Sequence, residues 1–245
     1  MAAPTPHIIM AMPMTMTICT MKQVRRIAMT DGSLIRLMSW LSPVFPTGGF
    51  AYSAGLEQAV QYGLVRNGAD LGEWLEAQYR HGSIRNDAIV LASAHRSGGD
   101  STILLELSGL AEALAESASR HRETMNQGRS FIEAAVHWPH MQDLPQRLAL
   151  PVAIGAAASR SGIGLEECLQ AFLNAFAVNQ LQAAIRLSVT GQSGAAKTLA
   201  GLESLICETA SYCAHSDIDD LGSCTFNAAI ATMNHETLEP RLFLS

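Results

Sequence analysis

From Ser33 onward, large apolar side chains return every three or four positions, and no stretch alternates with the period of two that a half-buried strand requires. That regularity confines the chain to helices packed on helices. Leu34, Leu37, Met38 and Leu41 share one helical face, after which Pro43, Pro46, Gly48 and Gly49 break the chain into a loop. Leu56, Ala59, Val60 and Leu64 begin a second helix. Asp70, with Glu73 in the first turn, reads as the N-cap of a third, which carries Leu71, Trp74 and Leu75. Asn86 or Asp87 opens a helix that Gly98-Gly99 stops. Helical segments follow at 101–119, 120–136, 148–158, 165–189, 198–214 and 226–233. The segment 165–189 is apolar nearly all round, which places it at the centre of the fold. No fixed-period repeat and no Pro/Ser-rich linker divides the body. The expectation is one all-α, helical-bundle-like domain over residues 31–245, built from roughly eight to ten helices of ordinary length.

Residues 1–30 stand apart as a variable leader holding seven of the eleven methionines. The leader is either disordered or an over-long start, with initiation at Met21 or Met29. Its apolar stretch, Ile8 to Cys19, has its cations Lys22, Arg25 and Arg26 behind it, the reverse order of a secretory signal. It is also too short to span a bilayer. A soluble, cytoplasmic protein without membrane contact is expected. Five cysteines, an odd number with no C-x-x-C, suit reduced thiols. A net charge of -6 with no Lys/Arg stripe argues against nucleic acid. Charged residues make up only 16%, against about 25% in an average domain. Apolar surface is therefore expected to be covered by partners.

Motifs for chemistry come close and fail. Gly191 to Thr198 nearly spells a phosphate-binding loop, with Lys197 for phosphates and Thr198 for magnesium, but Ala196 replaces the second glycine and no strand precedes it. His235-Glu236 starts a zinc motif that Glu239 leaves incomplete. His137 and His140 flank Trp138-Pro139, where a loop is favoured over a helical metal pair. Cys207 and Cys213, six apart, share no helix face and read as small buried hydrophobes. No catalytic residue and no metal ligand is assigned.

Three features remain. The loop from Leu41 to Glu57 is rich in Pro, Gly and aromatic residues, and Phe50 and Tyr52 either pack inward or anchor a partner. Arg186, inside the most apolar segment, needs acceptors if buried. It either makes an internal pair or belongs to a subunit interface or polar channel. The tail, HETLEPRLFLS, puts Leu242, Phe243 and Leu244 beside Arg241 where chain ends are usually polar. It either packs on its own core or docks into another protein.

These features carry a resemblance. Pro46-Thr-Gly-Gly-Phe50-Ala-Tyr52-Ser53-Ala-Gly55-Leu56-Glu57 resembles the N-terminal signature of the UreF family of urease accessory proteins, with Gly49 where Ala is common. Asp70 to Leu75, and Ile185-Arg186-Leu187 with Gly191-Gln192, are similar to its middle blocks. Met233 to Ser245 closely resembles its C-terminal signature. The resemblance implies an all-α homodimer that joins UreD (UreH in some organisms) and the GTPase UreG on apo-urease, where nickel is inserted and the active-site lysine carbamylated. It implies a regulator of GTP hydrolysis, with nickel and GTP handled by the complex and no cofactor held stably. Matching the motifs places partner binding on His235, Glu236, Arg241, Leu242 and Phe243, on Phe50 and Tyr52, and on Arg186. Two rivals are a helical enzyme whose site is assembled from distant residues, and a nickel metallochaperone using His235, Cys224 or His215.

Overall fold

The computed structural model describes residues 32–245 together with Met1; the leader reading for residues 1–30, and Cys19, lie outside these apart from Met1. The described residues form ten α-helices and no strand: α1 Ser33–Trp40, α2 Leu56–Gln61, α3 Gly68–His81, α4 Ser83–Arg96, α5 Ser101–Ala113, α6 Ala118–Ala135, α7 Leu150–Arg160, α8 Leu165–Arg186, α9 Gln192–His215 and α10 Phe226–Asn234. Single 3-10 turns occur at Gly49–Ala51, Ile218–Asp220 and His235–Thr237.

Helix starts follow side-chain caps. Asn67, not Asp70, caps α3, its Oδ1 accepting from the Ala69 and Asp70 amides at 2.8 and 3.2 Å. Asp70 sits in the first turn and pairs with Arg66 at 2.8 Å. Asp100 caps α5 and Ser117 caps α6 in the same way. Helix α4 begins at Ser83, ahead of the Asn86-Asp87 start that the sequence suggested. Those two side chains serve tertiary contacts instead: Asn86 Oδ1 accepts from the Gly222 amide at 3.0 Å, and Asp87 pairs with Arg120. The phosphate-loop look-alike is helical from Gln192, with Gly191 as its N-cap.

The centre of the fold is α7, not α8. Every residue from Pro151 to Ala158 is buried. Small side chains let the neighbouring helices come close. A Cβ on Gly155 would lie 2.4 Å from the Leu91 carbonyl oxygen of α4. A Cβ on Gly128 of α6 would lie 2.0 Å from the Leu148 carbonyl at the entry to α7. Helix α8 packs on α9, α4 and α2. Its apolar residues run all round because Phe172, Ala175 and Phe176 line a cleft.

The proline loop between α1 and α2 is anchored by rings. Phe45 lies 5.6 Å from Phe131 and 5.9 Å from Trp138, centroid to centroid, and Trp40 packs edge-on against both. Where this loop meets α10, Gly55 has φ +81°, and a Cβ there would lie 2.5 Å from Thr232 Oγ1 and 3.0 Å from the Thr232 amide nitrogen. Gly55→Ala is expected to cost about 2 kcal/mol through left-handed strain and overpacking. That is a fall in Tm of roughly 4–8 °C for a chain of this size, checked by thermal circular dichroism.

Candidate partner-docking site

The site is assembled around one buried carboxylate. Glu57 lies in the first turn of α2, where the helix dipole favours an anion. Its Oε1 accepts from the Leu242 amide at 2.7 Å. Its Oε2 accepts from the Phe243 amide at 3.1 Å and faces His235 Nε2 at 2.7 Å. That contact places the imidazole proton on Nε2, and leaves the buried Nδ1 without a partner among the described residues. An unneutralised buried carboxylate is costly, and three donors converging on one is the arrangement that holds it.

The tail is then fixed along the 51–57 loop almost residue by residue. The Leu244 amide donates to the Ala51 carbonyl at 2.7 Å, and the Ser53 amide donates to the Ser245 carbonyl at 2.8 Å. The Ser53 hydroxyl donates to that same carbonyl. Ser245 Oγ donates to Glu123 Oε2 at 2.8 Å. On the side of α8, Asn179 and Gln180 donate to the carbonyls of Tyr52 and Ser53 at 3.1 and 3.0 Å.

With the backbone fixed, the side chains divide. Phe243 is 2% exposed and Ser245 is buried, whereas Leu242 and Leu244 are 63% and 53% exposed. The tail therefore packs on its own core with one apolar side chain and turns two outward. Arg241 is exposed beside them. Glu236 is exposed too, and its Oε1 accepts from the Ser119 amide at 3.0 Å, completing the N-terminus of α6.

Arg186 is not the buried guanidinium that its apolar surroundings suggested. It is the last residue of α8 and is exposed. Ser188, with φ +61°, ends the pattern that Leu187 and Val189 prolong in the sequence. Arg186 Nη1 donates to the Phe50 carbonyl at 2.7 Å, and the Arg186 guanidinium carbon stacks 4.1 Å from the Phe243 ring centroid. Arg186 thus clamps the loop to the tail at a helix C-terminus, where a cation is favoured.

Phe50, Tyr52, Arg186, His235, Leu242 and Phe243 meet at this seam, with Glu236 and Arg241 flanking it. The side chains of Tyr52, His235 and Phe243 are buried and act by position; Phe50, Arg186, Arg241 and Leu242 face outward. Sequence reasoning assigned no role to Glu57, Ser53 or Glu123. It also missed the outer face of α10, where Phe226, Ile230 and Met233 fall on one side and are exposed. The helical spacing of those three was visible, but which face packs inward was not.

Among the described residues no group of three or more His, Cys, Asp or Glu is placed to hold a metal ion. Burial pushes the Cys168 and Cys213 thiols up to about 12, so neither offers a thiolate at neutral pH. No helix among the described residues is long and apolar enough to cross a membrane.

A family model for UreF matches residues 65–203. The chain is 49% identical to the urease accessory protein UreF of Rhizobium etli over 215 residues, covering 87% of this chain and 96% of the relative. It is 52% identical to that of Brucella ovis over 215 residues (87% and 94%), and 51% identical to that of Agrobacterium fabrum over 215 residues (87% and 96%). With the helical fold and with both terminal signatures joined in one seam, these matches establish that the chain belongs to the UreF family of urease accessory proteins.

Proposed function

We propose that the protein works as a docking subunit in urease maturation: as a homodimer it bridges UreD (UreH) and the GTPase UreG on apo-urease, supports nickel insertion, and regulates GTP hydrolysis by UreG. It does so without a catalytic site and without holding nickel or GTP itself. The observation that carries this reading is the tail, whose backbone is fixed by Glu57 and Ser53 so that Leu242, Leu244 and Arg241 face outward. A preordered apolar ledge with one cation binds a partner without the entropy cost of ordering a loose end.

Leu242→Asp combined with Arg241→Glu changes only outward side chains. The double variant is expected to lose at least thirtyfold in affinity for UreD, the loss of a hot spot of about 2 kcal/mol or more. Its own stability should stay within about 0.5 kcal/mol of the parent. Size exclusion with light scattering, with and without UreD, measures both complex and oligomer. Undiminished complex formation by the folded double variant would sink the assignment. Arg186→Ala should change dimer mass or the UreG GTPase rate several-fold while helicity is retained. A parental dimer mass and GTPase rate would reduce Arg186 to a private clamp.

A further inference from the structure

A cleft of about 460 Å³ opens between the α1–α2 loop, α6 and α8, within the size range of small-molecule sites. Phe131, Phe172 and Phe176 contribute apolar wall. The charged groups of its lining separate by burial. Arg186 is exposed, with Nη1 committed to Phe50 and its face to Phe243, so solvent screens its charge. Glu123 is buried, and Asp87 and Arg120 are partly buried, their side chains 17% and 15% exposed as a pair on the cleft lining.

In this set two carboxylates face one guanidinium. Arg120 Nη2 meets Asp87 Oδ2, and Nη1 lies 3.3 Å from Glu123 Oε1. Gln127 Nε2 also donates to Glu123 Oε1 at 3.2 Å, and Ser245 donates to Oε2. Glu123 is thereby satisfied at both oxygens. Asp87 Oδ1 accepts no hydrogen bond among the described residues. One unneutralised negative charge in apolar surroundings is strongly felt. Burial, then the neighbouring Glu123 and Glu116, hold the Asp87 carboxyl above the usual carboxylate range in spite of Arg120. A hard divalent metal would need several oxygens at once, and here Arg120 stands between Asp87 and Glu123, the two acids among the described lining residues.

We infer that this cleft binds a small organic cation, an ammonium or guanidinium head on an apolar body, with the head at Asp87 and the body against the phenylalanine walls. The walls suit such a ligand twice over, since aromatic rings attract both the cation and its hydrocarbon. This site is separate from the partner-docking reading and can fail without it.

The test titrates the full-length protein with phenethylammonium, with neutral 2-phenylethanol and with anionic 3-phenylpropionate, which are near in size but differ in charge. Calorimetry gives affinity, and the indole N–H resonance of Trp40, on the cleft lining, reports location. The cation is expected to bind at least tenfold more tightly than the alcohol, and the anion not at all. Asp87→Asn should bring cation and alcohol to equal, weak affinity. Ala175→Phe, which fills the cleft from its α8 wall and leaves Asp87 and Arg120 unchanged, should abolish binding while leaving the thermal melt intact. Equal affinity for all three probes, no binding of the cation, or undiminished binding by Ala175→Phe would each overturn the inference. Should Asp87→Asn unfold, the probe series and Ala175→Phe decide.

Discussion

Glu57→Ala is expected to release the tail and to cost about 3–5 kcal/mol, much of the 5–15 kcal/mol that holds a typical domain together. The substitution removes the acceptor for three donors at once: His235 Nε2 and the amides of Leu242 and Phe243. Each buried donor left without a partner costs about 1–3 kcal/mol. The sum is not reached, because the tail escapes to water before all three are stranded. Leaving also exposes Phe243, worth about 2–3 kcal/mol of burial, and breaks its contact with Arg186. Urea denaturation measures the loss. Amide hydrogen exchange at residues 242–244 measures the release, and should rise to that of an unprotected chain. Glu57→Gln keeps one acceptor oxygen and should fall between. UreD binding should disappear in Glu57→Ala although no outward residue has changed. Retained amide protection there would show that Ser53 and Ala51 hold the tail alone.

The second large effect concerns α7. Gly128→Ala and Gly155→Ala each add one methyl group, but against backbone rather than against a mobile side chain. At Gly128 the new carbon meets the Leu148 carbonyl at 2.0 Å and Ala149 C and Leu150 N at 2.8 Å. At Gly155 it meets the Leu91 carbonyl at 2.4 Å and the Ala94 Cβ and His95 amide nitrogen at 3.1 Å. Neither contact can be relieved by a rotamer change, so α6 or α4 must move away from α7 and open the centre of the core. Losses beyond about 4 kcal/mol are expected, with most of each variant insoluble on expression. Gly109→Ala and Gly201→Ala are the controls. Both glycines are helical and exposed, with nothing within 4 Å of an added Cβ. These changes should stabilise by about 0.5–1 kcal/mol through helix propensity alone. Melting temperatures that order all four variants alike would contradict the close helix packing described here.

These glycines also show what the sequence could not convey. Helix positions were legible where burial of one face leaves a period, as in α1 and α3. Rank within the core was not legible. A helix such as α7 is rich in Ala and Gly and holds only Leu150, Val152 and Ile154 as large aliphatics, yet its small side chains are what permit the close approach. Helix α8 reads as the most apolar, but one of its faces borders the cleft. Asp70 and Asp87 looked like caps because acids favour helix starts; each is instead engaged by an arginine, Arg66 or Arg120. At the seam of loop and tail, the Leu-Phe-Leu cluster was legible as an apolar end that needs a surface to pack on. Its division into one inward and two outward side chains was not, since the group that decides it, Glu57, lies 185 and 186 residues away from the amides it holds.

That separation has a consequence for the chain while it is being made. At about 5–20 residues per second, roughly 10–40 s pass between synthesis of residue 57 and arrival of Phe243. For most of that interval, until His235 is made, α2 carries a carboxylate with none of its three donors, and the 51–57 loop lacks the tail beside it. The fixed tail, with Leu242 and Leu244 turned outward, exists only once translation has passed Phe243. A nascent or prematurely ended polypeptide can therefore form most of its helices and still lack the seam.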